Sequence, residues 1–600
     1  MSNKYNVYDK LDLPRISEEI LSFWEEHNIF QKSVDTREGN EPFVFYEGPP
    51  SANGMPGIHH VMARTIKDIF CRYRTLKGYQ VKRKAGWDTH GLPVELGVEK
   101  ELGITKVDIG NPDSPNYISI ADYNDACKKA VMKYTDVWND LTRKIGYWVD
   151  MDDPYVTYDN KYIESVWWLL KNLFDKDLLY KGYTIQPYSP KAGTGLSSHE
   201  LSQPGTYRDV TDTTVVAQFR APSLDEKFYG GETHILAWTT TPWTLPSNTA
   251  LAVGPKIDYV SVRTFNVYTH KPTVLILAKE IALDTSFWKK DFFLAEQEED
   301  SIESDDNTQY DISEYLREKE SNPSIRMVRD WILKGIKPDS GIELSSYLRE
   351  TQPDGKDIKR PIPYIILPNS IKGSDLIGVK YEQLMPYAKP DGDAFKVIAG
   401  DFVSTEDGTG IVHIAPTFGA DDMRVAKTAN IAPMLVDDGE GKQVPLVDLQ
   451  GKFRKEVAGF AGQYVKKEYY TDAEIIAETQ KQERDNYLSV DERIAIKLKK
   501  ENKAFRVEKY VHSYPHCWRT DKPILYYPLD SWFVQTTKAK DRLIELNKTI
   551  NWKPESTGTG RFGNWLENLQ DWNLSRSRFW GIPLPIWSTE DKKERICIGS

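Results

Sequence analysis

The hydrophobic pattern near the N-terminus predicts a strand, a helix and a second strand in close succession. Phe43-Val44-Phe45-Tyr46 predicts the first strand, and Tyr79-Gln80-Val81 begins the second. Between them, apolar residues recur at helical spacing from Val61 to Leu76, and Gly78 stands where a C-cap is expected. The apolar positions are Met62, Ile66, Ile69, Phe70, Tyr73 and Leu76. Strand, crossover helix and strand form a parallel unit, which binds ligands at the carboxyl ends of its strands.

The pattern changes further along the chain. A helix is predicted over 15–30, and region 117–180 is predicted to be helical. Its expected core residues are Trp138, Trp167, Trp168, Leu169 and Leu173. From near Pro187 to about Asn486, alternating Thr, Val and Ile between Gly/Pro turns predict β-structure. Inside it, 296–357 is acidic, with short helices expected over 312–316 and 327–333 and a solvated spacer as the default interpretation.

Two polar turns follow the predicted strands, and we expect them to meet in one crevice. The first begins at Glu47 and ends in Gly57-Ile58-His59-His60, and the second spans 86–93. A helix N-terminus offers free N–H groups and a positive dipole end to a phosphate, and imidazole adds a further donor. On its own this signal is weak, because surface histidines that cap a helix would give the same pattern.

Composition limits the classes of protein that this chain can represent. The 600 residues suggest three to four domains. The sequence has neither an apolar window long enough to span a membrane nor an apolar signal region at its start. Four cysteines argue against a disulfide framework and favour a reducing cytoplasm. The net charge of −11 does not exclude RNA, because local basic patches determine binding. Candidate patches are Lys82-Arg83-Lys84 and Lys497-Leu498-Lys499-Lys500 with Lys503 and Arg506, although a solvated helix face explains the second equally well.

Residues 48–95 resemble the first half of a class I aminoacyl-tRNA synthetase of the isoleucine, valine and leucine group. Gly-Trp-Asp-Thr-His-Gly-Leu-Pro-Val-Glu, at 86–95, is similar to the isoleucine members, in the subgroup that resembles eukaryotic cytosolic forms. The resemblance extends over essentially the whole chain. It implies an α/β fold, with a β-rich editing domain inserted into a Rossmann-like parallel-sheet catalytic domain. The implied division is 1–187 for the N-terminal helix and first catalytic half, 188–510 for the editing domain with an acidic insertion at about 296–357, and 511–600 for the return to an incomplete catalytic domain.

Two departures from the family pattern affect the expectations. The family signature is His-x-Gly-His, whereas this chain has Gly57-Ile58-His59-His60, so the first and third positions are exchanged. Either His59 substitutes for the missing first His, or the site is partly disabled; we favour the first, because the surrounding motif is otherwise intact. The family's mobile Lys-Met-Ser-Lys-Ser loop and anticodon domain do not occur before Ser600, which suggests a truncated chain.

The resemblance implies a set of residues for amino-acid activation. The expected catalytic residues are Gly57, His59 and His60. Asn53 and Gly54, with Gly57 and His60, would bind ATP, and Mg²⁺ would arrive with the nucleotide. Asp88 would bind the substrate ammonium, although a helix N-cap is its alternative role. The remaining amino-acid-binding candidates are Pro49, Trp532, Asn564, Asn568 and Trp572, of which the last three are spaced to share one helical face.

A second set implied by the resemblance would form a hydrolytic editing pocket. Binding alone discriminates one methylene only modestly, so a second site that clears valine is required. The candidates are Thr239, Thr240, Thr241 and Asp422, with Asn248 and His413 as secondary members. The threonines would narrow the pocket and position water, and Asp422 would hold the aminoacyl ammonium. A Thr-rich strand followed by an Asp cap is the structural alternative.

Zinc is not expected at the positions where relatives carry paired Cys-x-x-Cys knuckles. The first place has Ser189 and Ala192, the second keeps Cys517 but has Thr520, and the third, at 587–591, has no Cys. A tetrahedral zinc site needs four nitrogen or sulfur ligands, which these positions do not supply.

The implied activity is ATP-dependent activation of L-isoleucine and its transfer to tRNA(Ile), with hydrolysis of misacylated Val-tRNA(Ile). We expect a cytoplasmic monomer without membrane contact. The Gly57/His59 exchange also predicts reduced sensitivity to mupirocin, an inhibitor that extends past this turn. The alternative is a catalytically impaired paralogue that only binds tRNA or only deacylates it.

Overall fold

The computed structural model describes residues 10–228, 231–295, 323–336, 349–351, 357–359 and 361–600. The chain forms two compact units. The first comprises Met1–Lys181 and Trp532–Ser600, and the second, Gly182–Ser531, is inserted between these two segments. Boundaries at 187/188 and 510/511 were predicted for the functional domains. The predicted helix over 312–316 lies outside the described residues, whereas the one over 327–333 is found, in helix Pro323–Arg329 and the π-helical turn Asp330–Lys334.

A parallel sheet forms the centre of the first unit, as the hydrophobic pattern predicts. Strand Pro42–Tyr46 pairs in parallel with Gln80–Trp87, which pairs in parallel with Asp150–Val156. Helix Ile58–Leu76 connects the first two strands. This β-α-β unit places the ends of its first two strands, and therefore both polar turns, on the same side of the sheet.

The other helices and short strands of the first unit complete its α/β architecture. The helices are Leu13–Glu26, Ile29–Asp35, Leu92–Leu102, Ile120–Val131, Thr135–Lys144, Asn160–Asp175, Lys540–Asn547 and Phe562–Glu567. The short strands are Trp572–Asn573, Ile586–Ser588 and Arg595–Cys597. The single helix predicted over 15–30 is in fact two helices, because Asn28 adopts a left-handed conformation with φ of 48°.

Two further predictions for the first unit were wrong. Region 117–180 is not uniformly helical, because strand Asp150–Val156 interrupts it. Trp138 is buried as expected, but Trp168 and Leu169 are 60% and 55% exposed. The apolar stripe that predicted helix Ile58–Leu76 is also largely exposed, with Met62 at 64% and Leu76 at 81%. Apolar spacing thus identified the helices without identifying which face is covered.

A ten-stranded mixed sheet dominates the second unit, which confirms the predicted β-rich insertion. Eight strands follow the order Phe292–Leu294, Ile362–Lys372, Asp258–Phe265, Pro272–Ala278, Thr233–Thr239, Ile411–Ile414, Ala250–Val253 and Lys396–Ala399. The long strands Tyr207–Arg220 and Ala504–Pro515 pair antiparallel, and the former joins the sheet through Thr233–Thr239. The strands of this sheet carry many fully buried aliphatic side chains, for example Val215, Ile235 and Leu275.

Helices and short strands surround this sheet. The helices are Ser198–Leu201, Lys279–Leu283, Thr285–Trp288, Gly373–Leu376, Ala420–Thr428, Asp472–Lys481 and Val490–Lys500. The short strands are Thr194–Gly195, Arg349–Thr351, Asp357–Lys359, Leu435–Asp437 and Gln443–Pro445. The chain passes between the units within strands Leu179–Ser189 and Leu525–Val534. In the described part of the chain, every helix is too short or too polar to cross a membrane.

Candidate functional site

The signature turn, residues 47–57, is held at its start by a buried carboxylate. Glu47 is 3% exposed, and its side chain accepts hydrogen bonds from Lys67 and from the Tyr147 hydroxyl. Its carbonyl oxygen accepts from the Tyr155 hydroxyl at 2.5 Å. A buried charge with several partners fixes backbone position, because removing any partner leaves the charge unsatisfied.

Trp138 anchors the middle of the signature turn. Its indole N–H donates to the Gly54 carbonyl at 2.9 Å, and the nearby Tyr134 amide donates to the Ala52 carbonyl at 3.0 Å. The indole ring also meets the His60 ring edge-on, with 4.7 Å between centroids. Helix Thr135–Lys144 therefore fixes both the predicted nucleotide turn and the signature histidine. From the sequence, Trp138 was predicted only as a core residue.

His60 lies in the first turn of helix Ile58–Leu76 and caps its N-terminus. The Gly57 amide donates to His60 Nδ1 at 2.9 Å, which resembles the reciprocal half of a capping box with imidazole in place of Glu. Burial, followed by the charges of His59 and Arg64, lowers the pKa of His60. Because Nδ1 is an acceptor, the neutral ring carries its proton on Nε2. His60 is therefore prepared to donate a hydrogen bond from Nε2.

Gly57 and His59 share one small volume. A Cβ added at Gly57 would lie 2.9 Å from Cε1 of the His59 ring. Gly57 has φ of −115°, so its backbone conformation would accept any residue, and the limit is space alone. The exposed His59 ring lies 3.8 Å from the His60 ring between centroids. The exchanged pair is therefore complementary, because the missing side chain at 57 makes room for the ring of 59.

The second polar turn meets the first through the backbone. The Asp88 amide donates to the Pro50 carbonyl at 3.0 Å, and the Asp88 side chain is exposed just beyond strand Gln80–Trp87. Thr89 is fully buried and is held on its carbonyl by the Trp580 indole N–H at 2.6 Å. A rigid backbone thus carries a solvent-facing carboxylate beside the signature turn.

The other predicted residues of this unit have varied surroundings. Pro49 and Asn53 are half-buried in the signature turn, where the Ser51 hydroxyl donates to Asn53 Oδ1 at 3.0 Å. Trp532 is half-buried, with the Arg595 guanidinium 5.3 Å from its ring centroid.

The prediction that Asn564, Asn568 and Trp572 share one helical face was wrong. Helix Phe562–Glu567 ends before Trp572, with Asn568 as its C-cap. Trp572 instead lies in a strand opposite Val534 and is 60% exposed. The reason is pairing with strand Leu525–Val534, a contact between distant segments that helical spacing cannot reveal.

In the second unit, five of the six predicted editing residues line one cavity of about 380 Å³. They are Thr239, Thr240, Thr241, His413 and Asp422. Asn248 does not line it: its amide is engaged by Ala250, Ile414 and the Tyr381 hydroxyl. The position of Asn248 is that of a structural residue that holds strand Ile411–Ile414 to its neighbours.

Thr244 is a lining residue that sequence reasoning passed over. Its hydroxyl donates to the Thr241 carbonyl at 2.8 Å and lies 3.1 Å from His413 Nε2. Because the hydroxyl proton is used, Nε2 of His413 is the donor in that contact. Burial lowers the pKa of His413 to about 4, so the ring is neutral. Its Nδ1 is buried without a hydrogen-bond partner among the described residues.

Asp422 reaches the cavity from the first turn of helix Ala420–Thr428. One carboxylate oxygen accepts from the Ala415 amide at 2.8 Å. Burial raises the pKa of Asp422 to about 7. Gly419 permits this position, because an added Cβ would lie 2.6 Å from the Asp422 carboxyl carbon. Asp422 is half-buried, and a partly desolvated carboxyl group with little compensation favours a cationic ligand, which would restore its charge.

A buried acid, Asp491, holds the backbone that follows Thr239, Thr240 and Thr241. Asp491, on helix Val490–Lys500, accepts from the Trp243 amide at 2.8 Å. Trp243 in turn packs edge-on against Phe418, with 5.0 Å between ring centroids. Sequence reasoning missed this contact, because the partners are far apart in the chain.

Two of the positions at which zinc was not expected form hydrogen-bonded turns. The Ala192 amide donates to Ser189 Oγ at 3.2 Å, and the Asp521 amide donates to the Cys517 carbonyl at 2.9 Å. Among the described residues, no three His, Cys, Asp or Glu side chains form a group that could hold a metal ion.

Comparison with known proteins identifies close relatives. The family model of the tRNA synthetases class I (I, L, M and V) matches residues 19–600. An isoleucine–tRNA ligase of Cytophaga hutchinsonii is 60% identical over 597 residues, covering 100% of this chain and 48% of that protein. One of Bacteroides fragilis is 54% identical, with the same coverages, and one of Clostridium novyi is 40% identical, covering 99% of this chain and 45% of that protein. The chain thus spans about half the length of these relatives.

Solved structures resemble the chain less closely. A ternary complex of Agrobacterium radiobacter K84 agnB2 LeuRS with tRNA and LeuAMS is 14% identical and covers 97% of this chain and 51% of that one, with a TM-score of 0.30. The family assignment rests instead on the model match over residues 19–600. The chain belongs to the class I tRNA synthetases of the isoleucine, leucine, methionine and valine group.

Proposed function

We propose that the protein activates L-isoleucine with ATP and transfers it to tRNA(Ile). The observation that carries this proposal is an ordered signature turn, with a capped helix N-terminus and a facing carboxylate, in a chain of this family. Relatives at 54–60% identity are named isoleucine–tRNA ligases, which supports isoleucine as the amino acid.

In the proposed reaction, the isoleucine carboxylate attacks the α-phosphorus of ATP and displaces pyrophosphate. A tRNA ribose hydroxyl then attacks the carbonyl of the adenylate and releases AMP. No protein nucleophile is needed, so the chain acts by positioning and by stabilising charge. His60 Nε2–H and the N-terminus of helix Ile58–Leu76 are suited to the phosphates, with His59 beside them. Mg²⁺ would enter as the MgATP substrate.

Asp88 is the proposed partner of the isoleucine ammonium, with Pro49 and Trp532 as walls for the aliphatic side chain and Trp572 near the aminoacyl end. We assign ATP to the turn containing Asn53, Gly54 and Gly57. Asn564 and Asn568 remain candidates at the amino-acid end.

The cavity of the second unit is the proposed editing site. Its threonine hydroxyls suit the positioning of water, and Asp422 suits an aminoacyl ammonium. His413 keeps a neutral ring, and its Nε2–H donates to the Thr244 hydroxyl, so its proposed role is to orient that hydroxyl. Misacylated Val-tRNA(Ile) is therefore the expected substrate of this unit. We further propose that the protein acts as a cytoplasmic monomer.

The alternative function, an impaired paralogue that only binds or deacylates tRNA, is favoured by one observation, the exchanged signature. Isoleucine-dependent ATP–pyrophosphate exchange, measured on the full-length protein, separates the two. Exchange above the rate without isoleucine supports activation, whereas no exchange together with deacylation of Val-tRNA(Ile) supports the alternative.

Asp88→Ala tests the proposed ammonium contact. We expect exchange to fall by about two orders of magnitude or more, since the ammonium loses a charge-assisted hydrogen bond. Asp153→Ala is the matched control, because that carboxylate is exposed and pairs with Lys84. Equal exchange rates in both variants would show that Asp88 does not bind the isoleucine ammonium.

A further inference from the structure

A second cavity in the inserted unit is open, strongly basic and separate in lining from the editing cavity. It has a volume of about 680 Å³ and lies between helices Asp472–Lys481 and Val490–Lys500 and the 458–463 loop. We call it the basic groove. Its charged lining residues are Lys481, Arg484, Arg493, Lys497, Lys500, Glu478 and Glu501.

The charge of the basic groove is opposite to that of the chain. Five cationic and two anionic side chains line it, a local excess of three positive charges, whereas the chain carries a net −11. A concentrated basic surface on an acidic protein is the electrostatic footprint of a polyanion site.

Ion pairing within the basic groove leaves two cations available. Lys481 pairs with Glu478 at 2.6 Å, and Lys497 pairs with Glu501 at 2.5 Å. Arg493 donates to the Gly459 carbonyl at 3.1 Å and lies over the Phe460 ring. Arg484 and Lys500 are exposed, and neither has an ion pair with another described residue.

The structure also divides the basic patch suspected from the sequence. Lys497 and Lys500 line the groove, whereas Lys499 lies over the Tyr268 ring and Arg506 donates to the Phe287 carbonyl. Tyr387 adds a half-buried aromatic face at the groove wall. Cations spaced along an open groove with an aromatic wall suit a nucleic-acid backbone with an unstacked base.

We propose that the basic groove binds the phosphate backbone of the tRNA substrate, through Arg484 and Lys500 in particular. This inference rests on the proposed function, which supplies RNA as the partner. The groove acts outside both reaction centres, so it affects tRNA affinity and not amino-acid activation.

The test combines Arg484→Glu with Lys500→Glu in the full-length protein. Binding of labelled tRNA(Ile) transcript is followed by fluorescence anisotropy over a series of salt concentrations. We expect Kd to rise about tenfold or more, and the slope of log K against log salt to fall by about 1–2, for two lost phosphate contacts. Lys427→Glu is the matched control, since Lys427 is also an exposed lysine in the last turn of a helix.

Two further measurements make the outcome decisive. Isoleucine-dependent pyrophosphate exchange needs no tRNA and should be equal in the wild type and the double variant. The groove proposal is overturned if exchange is present but the double variant binds tRNA with the Kd and salt slope of the wild type. A groove that binds an acidic protein segment instead of tRNA would give this result. Displacement of tRNA by inorganic phosphate as effectively as by unlabelled tRNA would also overturn it. Absent exchange in the wild type would count against the proposed function alone.

Discussion

At the scale of single residues, the exchanged signature depends on one volume shared by positions 57 and 59. Gly57→His alone should lower isoleucine-dependent pyrophosphate exchange, because the new Cβ would already lie 2.9 Å from the His59 ring. Gly57→His combined with His59→Gly should recover much of the activity, since removal of the His59 ring makes room for the new side chain at position 57. Loss of activity in the double variant equal to that in the single variant would contradict this compensation.

The same variants test the reduced sensitivity to mupirocin that the sequence predicts. Mupirocin should inhibit the double variant more strongly than the wild type, in which His59 would obstruct its path, with a difference of about 1–3 kcal/mol per lost buried contact. His59→Gly alone serves as the control for space without the restored histidine.

Asp422 gives the editing site a predicted pH dependence. Burial raises its pKa to about 7, so the group is mainly neutral below that pH and mainly charged above it. An ammonium needs the charged form, and kcat/KM for Val-tRNA(Ile) deacylation should therefore rise with pH through about 7, the value for the free enzyme. Asp422→Asn should lower deacylation and flatten this rise, while leaving isoleucine activation intact. A rise of the same size in Asp422→Asn would assign it to another group.

At the scale of elements, helix Thr135–Lys144 positions the signature turn through Trp138. Trp138→Phe removes the 2.9 Å hydrogen bond to the Gly54 carbonyl while keeping a ring beside His60. We expect KM for ATP to rise several-fold with little change in kcat, because the turn becomes less ordered before the nucleotide binds. Trp168→Phe, at an exposed site, is the control. An unchanged KM for ATP in Trp138→Phe would show that the turn does not depend on this contact.

At the scale of the whole molecule, a buried ion cluster links distant parts of the first unit. Arg578 donates to Glu95 at 2.9 Å and also pairs with Glu99, and all three side chains are at most 10% exposed. Arg578→Ala removes the guanidinium that pairs with both buried carboxylates and should reduce the free energy of unfolding by about 3–5 kcal/mol. Urea denaturation followed by tryptophan fluorescence measures this change. Arg542→Ala, which breaks the exposed Arg542–Glu545 pair, should have little effect.

The sequence alone was sufficient for the parallel β-α-β unit and for the β-rich character of the insertion. Period 3.6 in the apolar residues predicted helix Ile58–Leu76, and the strands on either side predicted the parallel unit. The threonine segment with His413 and Asp422 predicted one cavity, and these residues do line one. These features depend on local periodicity and on motifs, both of which are properties of short sequence segments.

Only the tertiary structure decided which faces are buried and which groups are paired. Trp168 and Met62 are exposed although their spacing matched that of core residues. Trp572 was predicted on a helical face but lies in a strand that pairs with Leu525–Val534. The contacts of Trp138 with Gly54 and of Asp491 with Trp243 join residues far apart in sequence. The pKa of Asp422 likewise follows from burial by segments that the chain order does not bring together. Burial and pairing are properties of packing between distant segments, and local patterns therefore determine elements but not their partners.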